Sequence, residues 1–357
     1  MRAVITGGGT GGHIYPALAI GEKLRSADWE VLYLGVAGAM EERLSQKQGF
    51  PFAAIPAEAL SHQPVALLKA AALNGKGINK AHHILKEFSP AVVVGTGGFA
   101  SAPSIFAAQM LHIPTVLHEQ NAFPGRANRL LAKKAAAICL TFAAAGEYFP
   151  HPERQYLTGL PIRAQILTSS RQKGREALDI PADASVLLIT GGSLGAAHLN
   201  RSALAIGEKL LADGWWVIHI CGREEYLQVK QQAPKDRKWL LFPYVDQMEN
   251  PLWAADLTVC RAGASFLAEV AAVGLPSILV PYPYAANDHQ RFNAKAFASA
   301  GAACILEDSD LKGETLLKQI REIQSTPGAL TKMSAAALRL AETDAVGKIY
   351  SIIQRVQ

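Results

Sequence analysis

Charge and sulfur are both scarce in this chain. Only 18% of its 357 residues are Asp, Glu, Lys or Arg, whereas 50% are hydrophobic. A disordered or fibrous chain is thereby excluded, because there is ample apolar surface to build cores. The four cysteines (Cys139, Cys221, Cys260 and Cys304) are scattered and form no Cys-x-x-Cys pair. That excludes a disulfide framework and zinc-site spacing, and suits a reducing compartment. No Gly-x-x-x-x-Gly-Lys-Ser/Thr sequence occurs, which argues against a P-loop nucleotidase. Long hydrophobic runs are missing too. The longest uncharged stretch, Phe88–His118, is broken by Gly95, Gly97, Gly98, Pro103 and Pro114, so no apolar helix of ~20 residues fits. The opening Met1–His13 holds too short an apolar run for a secretion signal. The expectation is a soluble or peripheral protein. Its net charge of +5 permits an anionic substrate or surface and makes no demand for nucleic acid.

What is there is a regular alternation. Short β-branched runs read as strands at Ala3–Thr6, Val31–Leu34, Phe52–Ile55, Val92–Val94, Thr115–Leu117 and Ile138–Thr141. A second series follows at Val186–Thr190, Trp216–Ile220, Trp239–Phe242, Leu257–Cys260 and Ser277–Val280. Longer amphipathic stretches such as Ile14–Arg25 and Met40–Gln48 lie between them. Apolar strands flanked by helices predict parallel sheets covered on both faces, and two series predict two doubly wound α/β domains. Val4-Ile-Thr-Gly-Gly8 is echoed by Leu188-Ile-Thr-Gly-Gly192, so the two folds are similar. The junction is expected near Gly159–Arg163, giving domains 1–162 and 163–340. A last helical stretch, roughly Leu330–Gln357, is expected to pack its end (about 341–357) back on the first domain.

Three glycine loops follow predicted strands: Gly7–His13, Gly95–Pro103 and Gly191–Gly195. Glycines let the backbone approach a ligand, and a helix N-terminus offers free N–H groups and a partial positive charge. Gly7, Gly9 and Gly12 satisfy Gly-x-Gly-x-x-Gly. A dinucleotide site also needs an acid at the end of the second strand. That strand ends Leu34-Gly35, with no acid before Glu41. The loops therefore point to phosphates or a diphosphate rather than a nicotinamide or flavin cofactor, and no cofactor is expected. The alternative reading is that they serve only as tight turns.

The motif set resembles the MurG family of glycosyltransferases along nearly the whole chain. Gly7-Gly-Gly-Thr-Gly-Gly-His-Ile-Tyr-Pro-Ala-Leu-Ala19, Gly97-Gly-Phe-Ala-Ser-Ala-Pro103, His118-Glu-Gln-Asn121, Gly191-Gly-Ser-Leu-Gly-Ala196, Cys260-Arg-Ala-Gly-Ala264 and Asp288-His-Gln290 are similar to its signatures, in the same order. The resemblance implies a GT-B arrangement, two Rossmann-like domains with parallel sheets facing across a cleft. It implies an inverting transfer of N-acetylglucosamine from UDP-N-acetylglucosamine to the muramoyl 4-hydroxyl of lipid I, giving lipid II for peptidoglycan synthesis. The N-terminal domain would take the lipid acceptor and the C-terminal domain the donor. Location at the cytoplasmic face of the bacterial membrane follows, with cell-wall synthesis proteins open as partners.

The resemblance also implies roles. Glu269 would hold the ribose hydroxyls, and Gly263 and Ala264 would face the diphosphate. Ser193 would donate to a phosphate and Arg163 would contact the diphosphate. Val245 would read uracil with its backbone. Gln290 and Asn121 would bind the transferred sugar, and Thr10, Gly11 and Gly12 would complete the donor contacts. Gly97, Gly98 and Phe99 are acceptor candidates, with Phe99 standing where many relatives carry Tyr. Leu160 stands in place of the usual Asn and Ala262 in place of a common Ser. His13 is either the base that takes the hydroxyl proton, since imidazole titrates near neutrality, or a cap for its loop. The other His residues show no metal-ligand clustering and no Asp-x-Asp spacing is expected, so no tightly held metal is expected. Lys69, Lys76, Lys80 and Lys86, and then Arg126, Arg129, Lys133 and Lys134, have apolar neighbours such as Val65–Leu68. Such stretches suit an anionic membrane surface or else are solvated helix faces. Two rivals stand beside the transferase: a UDP-sugar epimerase of the same two-domain type, and a sugar-nucleotide-binding scaffold without activity.

Overall fold

The computed structural model describes residues 1–59, 63–192 and 195–357. The chain forms two compact units, Met1–Pro161 together with Asp344–Gln357, and Ile162–Thr343.

Among the described residues the first unit has seven strands: β1 (Arg2–Thr6), β2 (Glu30–Gly35), β3 (Phe52–Ala54), β4 (Val92–Gly95), β5 (Thr115–Glu119), β6 (Ala137–Leu140) and β7 (Gln155–Leu157). All pair in parallel, in the order β3-β2-β1-β4-β5-β6-β7. Strand alternation sends successive side chains to opposite faces. Ala3 and Ile5 of β1 join Val92 and Val94 of β4 in one core, with Ile14 and Leu18 of the helix Gly11–Ser26. Val4 and Val93 point the other way, onto Leu85 and Ile105 of the helices Pro64–Phe88 and Ala102–Met110.

The second unit has six described strands: β8 (Ser185–Thr190), β9 (Trp215–Ile220), β10 (Trp239–Phe242), β11 (Leu257–Cys260), β12 (Ser277–Leu279) and β13 (Ala303–Ile305). They too are parallel, in the order β10-β9-β8-β11-β12-β13. Leu187, Ile189, Val217, Leu257 and Val259 pack on Leu199, Leu316 and Ile320. Arg175 is buried here, donating to the carbonyls of Pro181, Ala182, Ala184 and Ala254 and pairing with Asp256.

The expected two-domain α/β class is what the chain adopts. The strands the sequence does not announce, β7 and β13, are three-residue strands at sheet edges. One expectation is corrected. The stretch Leu330–Gln357 is two helices, Ala329–Leu340 and Ala345–Val356, because Ala341 is extended and Asp344 is non-helical. Their apolar faces serve different cores: Met333 belongs to that of the second unit, whereas Ile349, Ile352 and Ile353 belong to that of the first.

Candidate active site

In an open parallel sheet, ligands bind beyond the carboxyl ends of the strands, where the strand order reverses. In the first unit that point lies between β1 and β4. The glycine loops after these two strands stand together there, with the Gly8 N–H donating to the Gly97 carbonyl at 3.4 Å. Gly97 and Gly98 have φ of +93° and +80°, and a Cβ on Gly98 would collide with the Gly8 carbonyl. The protein's own packing thus demands these glycines. Phe99 is exposed, with its ring edge 3.1 Å from where a Cβ on Gly9 would sit. Beneath the first loop the Tyr33 hydroxyl donates to the Gly7 carbonyl at 2.5 Å. Buried Glu41 accepts from the N–H groups of Gly9 and Val36. Burial raises the Tyr33 phenol pKa, and the Glu41 charge adds to the rise.

Thr10 is the extended N-cap of the helix Gly11–Ser26 and makes no side-chain cap bond. No acid occupies the first turn, so the partial positive charge at that end is not offset within the helix. His13 is the third residue of this helix. Its Nδ1 lies 2.9 Å from the Thr96 carbonyl and 3.1 Å from Gln120 Oε1. Both neighbours are acceptors, so Nδ1 carries a hydrogen. Among the described residues Nε2 makes no hydrogen bond.

The His118-Glu-Gln-Asn121 motif divides by strand alternation. His118 and Gln120 point toward His13. Glu119, buried, gathers the following loop: it accepts from Asn121 N at 3.0 Å, Gly125 N at 3.2 Å and Asn128 Nδ2 at 2.9 Å. The position of Asn121 is therefore set by Glu119. Sequence reasoning gave Thr96, Glu119 and Gln120 no role, although the period-2 spacing of His118 and Gln120 was the available signal.

In the second unit the order reverses between β8 and β11. Ser193, in the loop after β8, lies outside the described residues. After β11 the chain enters the helix Ala264–Ala272 through Gly263, whose φ of −72° any residue could adopt. A Cβ there would meet nothing within 4 Å among the described residues. Neither the backbone nor packing among the described residues calls for glycine at this position. Further along that helix, Glu269 is 7% exposed and receives both arms of Arg163: Nε to Oε1 at 2.8 Å and Nη2 to Oε2 at 2.7 Å. Burial raises the Glu269 carboxyl, and the Arg163 bonds oppose the rise. The two donor-site candidates expected to touch different parts of the nucleotide are thus also bonded to each other.

Gln290 Oε1 accepts from the N–H groups of Ala262 and Tyr282 at 3.1 and 3.0 Å. The amide is therefore oriented, with Nε2 left to donate elsewhere. Val245 is half-buried in the coil after β10, beside exposed Tyr244, whose ring carries the Arg223 guanidinium at 4.9 Å. The expectation that the chain lacks Asp-x-Asp spacing is corrected, because Asp308-Ser-Asp310 has it. Asp308 is engaged by Arg261 at 2.6 Å and His198 at 3.0 Å. Burial lifts its carboxyl, but these partners outweigh burial and hold it below its ordinary value. No cluster of three His, Cys, Asp or Glu able to hold a metal occurs among the described residues.

The N-terminal domain of glycosyltransferase family 28 matches residues 3–140, and the C-terminal domain of the same family matches residues 186–353. The chain belongs to glycosyltransferase family 28. A Halothermothrix orenii protein named UDP-N-acetylglucosamine--N-acetylmuramyl-(pentapeptide) pyrophosphoryl-undecaprenol N-acetylglucosamine transferase is 40% identical over 369 residues, spanning 99% of this chain and 98% of that protein. A Moorella thermoacetica protein of the same name is 41% identical over 364 residues, with 99% and 98% covered. The crystal structure of Acinetobacter baumannii MurG superposes with a TM-score of 0.81 at 29% identity, covering 99% of both chains. The resemblance read from the motifs is borne out. A putative UDP-N-acetylglucosamine 2-epimerase from Listeria monocytogenes shares the fold of this family 28 chain, at a TM-score of 0.67 and 14% identity over 98% of this chain and 94% of that one.

Proposed function

We propose that this family 28 chain moves N-acetylglucosamine from UDP-N-acetylglucosamine to the muramoyl 4-hydroxyl of lipid I, forming lipid II for peptidoglycan synthesis. One observation carries the reading: relatives bearing that activity in their names match this chain end to end at 36–41% identity. The fold alone does not choose, because the epimerase shares it.

The chemistry is a single displacement. The muramoyl oxygen bonds to the anomeric carbon as the bond from that carbon to the diphosphate oxygen breaks. The electron pair leaves on UDP and the configuration inverts. The hydroxyl proton goes to His13 Nε2. Charge developing on the diphosphate is met by the N–H groups of Gly263 and Ala264, by Ser193 and by Arg163. A guanidinium has five N–H donors, and the fork to Glu269 uses two, which leaves donors for phosphate oxygens. Glu269 accepts the ribose hydroxyls and Val245 reads uracil through its backbone. Gln290 Nε2, Asn121 and the Thr10–Gly12 loop address the sugar, and Gly97, Gly98 and Phe99 line the acceptor side.

The same reading takes the first unit to an anionic membrane surface. No helix of the described residues is long and apolar enough to cross a membrane. The start of the helix Pro64–Phe88 exposes Val65 and Leu68 (69% and 72%), with Lys69 beside them. Exposed Leu130 is accompanied by exposed Arg126, Lys133 and Lys134. An apolar tip among cations suits the headgroup boundary, each cation contributing about 1 kcal/mol.

A UDP-release assay tests the function. UDP appears when donor and a short-chain lipid I analogue are both present. Conversion of the donor sugar without acceptor supports the epimerase reading instead, and donor binding with no release supports the scaffold.

A further inference from the structure

The imidazole assigned above as the base stands at the end of a buried hydrogen-bond chain in which each link admits one proton arrangement. The chain starts at the Gly159 carbonyl, 2.9 Å from His118 Nε2. A carbonyl only accepts, so this nitrogen carries a hydrogen. His118 is fully buried, and burial lowers its pKa to about 4, which keeps the ring neutral. Its Nδ1 is then an acceptor, and the Gln120 amide nitrogen donates to it at 3.1 Å. The same nitrogen donates to the Thr96 carbonyl at 2.6 Å. With the NH2 end fixed twice, Oε1 faces His13 Nδ1 at 3.1 Å. Turning the amide over would set Oε1 against the Thr96 oxygen and the His118 lone pair.

We infer that Gln120 and His118 are positioning residues that hold His13 as its Nδ1–H tautomer, with Nε2 free to take the acceptor's proton. The inference rests on His13 being the base. It explains why two members of the His118–Asn121 motif lie away from the loop that Glu119 and Asn121 build. The arrangement also serves the protonated ring. Once Nε2 holds the proton, the bonds from Nδ1–H to Thr96 O and Gln120 Oε1 become charge-assisted and strengthen.

A long-range proton–nitrogen spectrum of the ¹⁵N-labelled protein reads the His13 tautomer, with His13→Ala assigning the signal. The wild type is expected to show a protonated Nδ1 and a bare Nε2. Gln120→Met, close in volume but without the amide, is expected to shift the signal toward a mixture of tautomers. Its kcat should fall at least about tenfold, within the 10²–10⁴ that a general base supplies, while the donor KM stays within about twofold. An Nε2–H wild type, an unchanged tautomer in Gln120→Met, or a tautomer shift with full kcat overturns the inference. The wild-type spectrum decides even where Gln120→Met does not fold. His13→Ala with undiminished kcat would remove the base assignment alone, since the tautomer readout needs no turnover.

Discussion

Arg163→Ala removes both arms of the fork and leaves Glu269 a buried carboxylate without its cation. Each charge-assisted bond contributes about 1.5–3 kcal/mol. The Arg163 side chain is 41% open to water, so screening and the cost of desolvating the pair reduce the expected loss to about 2 kcal/mol. For a unit of this size that lowers the melting temperature by roughly 4–8 °C. The loss depends on pH. Burial already lifts the Glu269 carboxyl, and removing Arg163 removes what opposes the lift. A carboxyl whose folded pKa exceeds its unfolded value contributes fully below the unfolded value and loses that contribution as pH rises through the folded one. The deficit of Arg163→Ala is therefore smallest near pH 5 and largest near pH 8, growing by ~1.4 kcal/mol for each further unit of elevation. Arg163→Ala combined with Glu269→Gln should recover part of the loss and show little dependence on pH. Scanning calorimetry from pH 5 to 8 resolves the transitions. Equal melting of wild type and Arg163→Ala at pH 8, or a deficit that grows toward pH 5, would refute the reasoning.

His13→Ala should cut kcat by about 10²–10³ with little change in donor KM, read by UDP release; near-normal turnover rejects His13 as the base. Two glycine substitutions should separate packing from binding. Gly98→Ala forces a left-handed backbone and a collision with Gly8, costing at least about 2 kcal/mol in a thermal melt. Gly263→Ala, with ordinary φ and open space, should melt like wild type yet weaken UDP binding in calorimetry. Binding to anionic vesicles should fall sharply between low and high salt; salt-insensitive binding rejects the electrostatic part of membrane docking.

Most of the fold could be read from the sequence because its inner strands are runs such as Val92-Val-Val and Val186–Thr190, buried on both faces. The three-residue strands Gln155–Leu157 and Ala303–Ile305 carry no such run. The break at Ala341–Asp344 was hidden because the helical pattern continues through it, while the core it faces changes. At the candidate site, glycine loops after strands were visible as patterns, but their reasons were not. Gly98 is there for Gly8, whereas Gly263 is there for no protein atom described. The Arg163–Glu269 fork joins residues 106 apart in sequence, and Glu119 and Gln120 owe their roles to loops and helices that the motif itself does not contain.

A crystal structure with UDP bound is the most direct measurement. The account predicts the ribose hydroxyls on the Glu269 carboxylate and the diphosphate over the N–H groups of Gly263 and Ala264. Nucleotide bound away from these residues would contradict it.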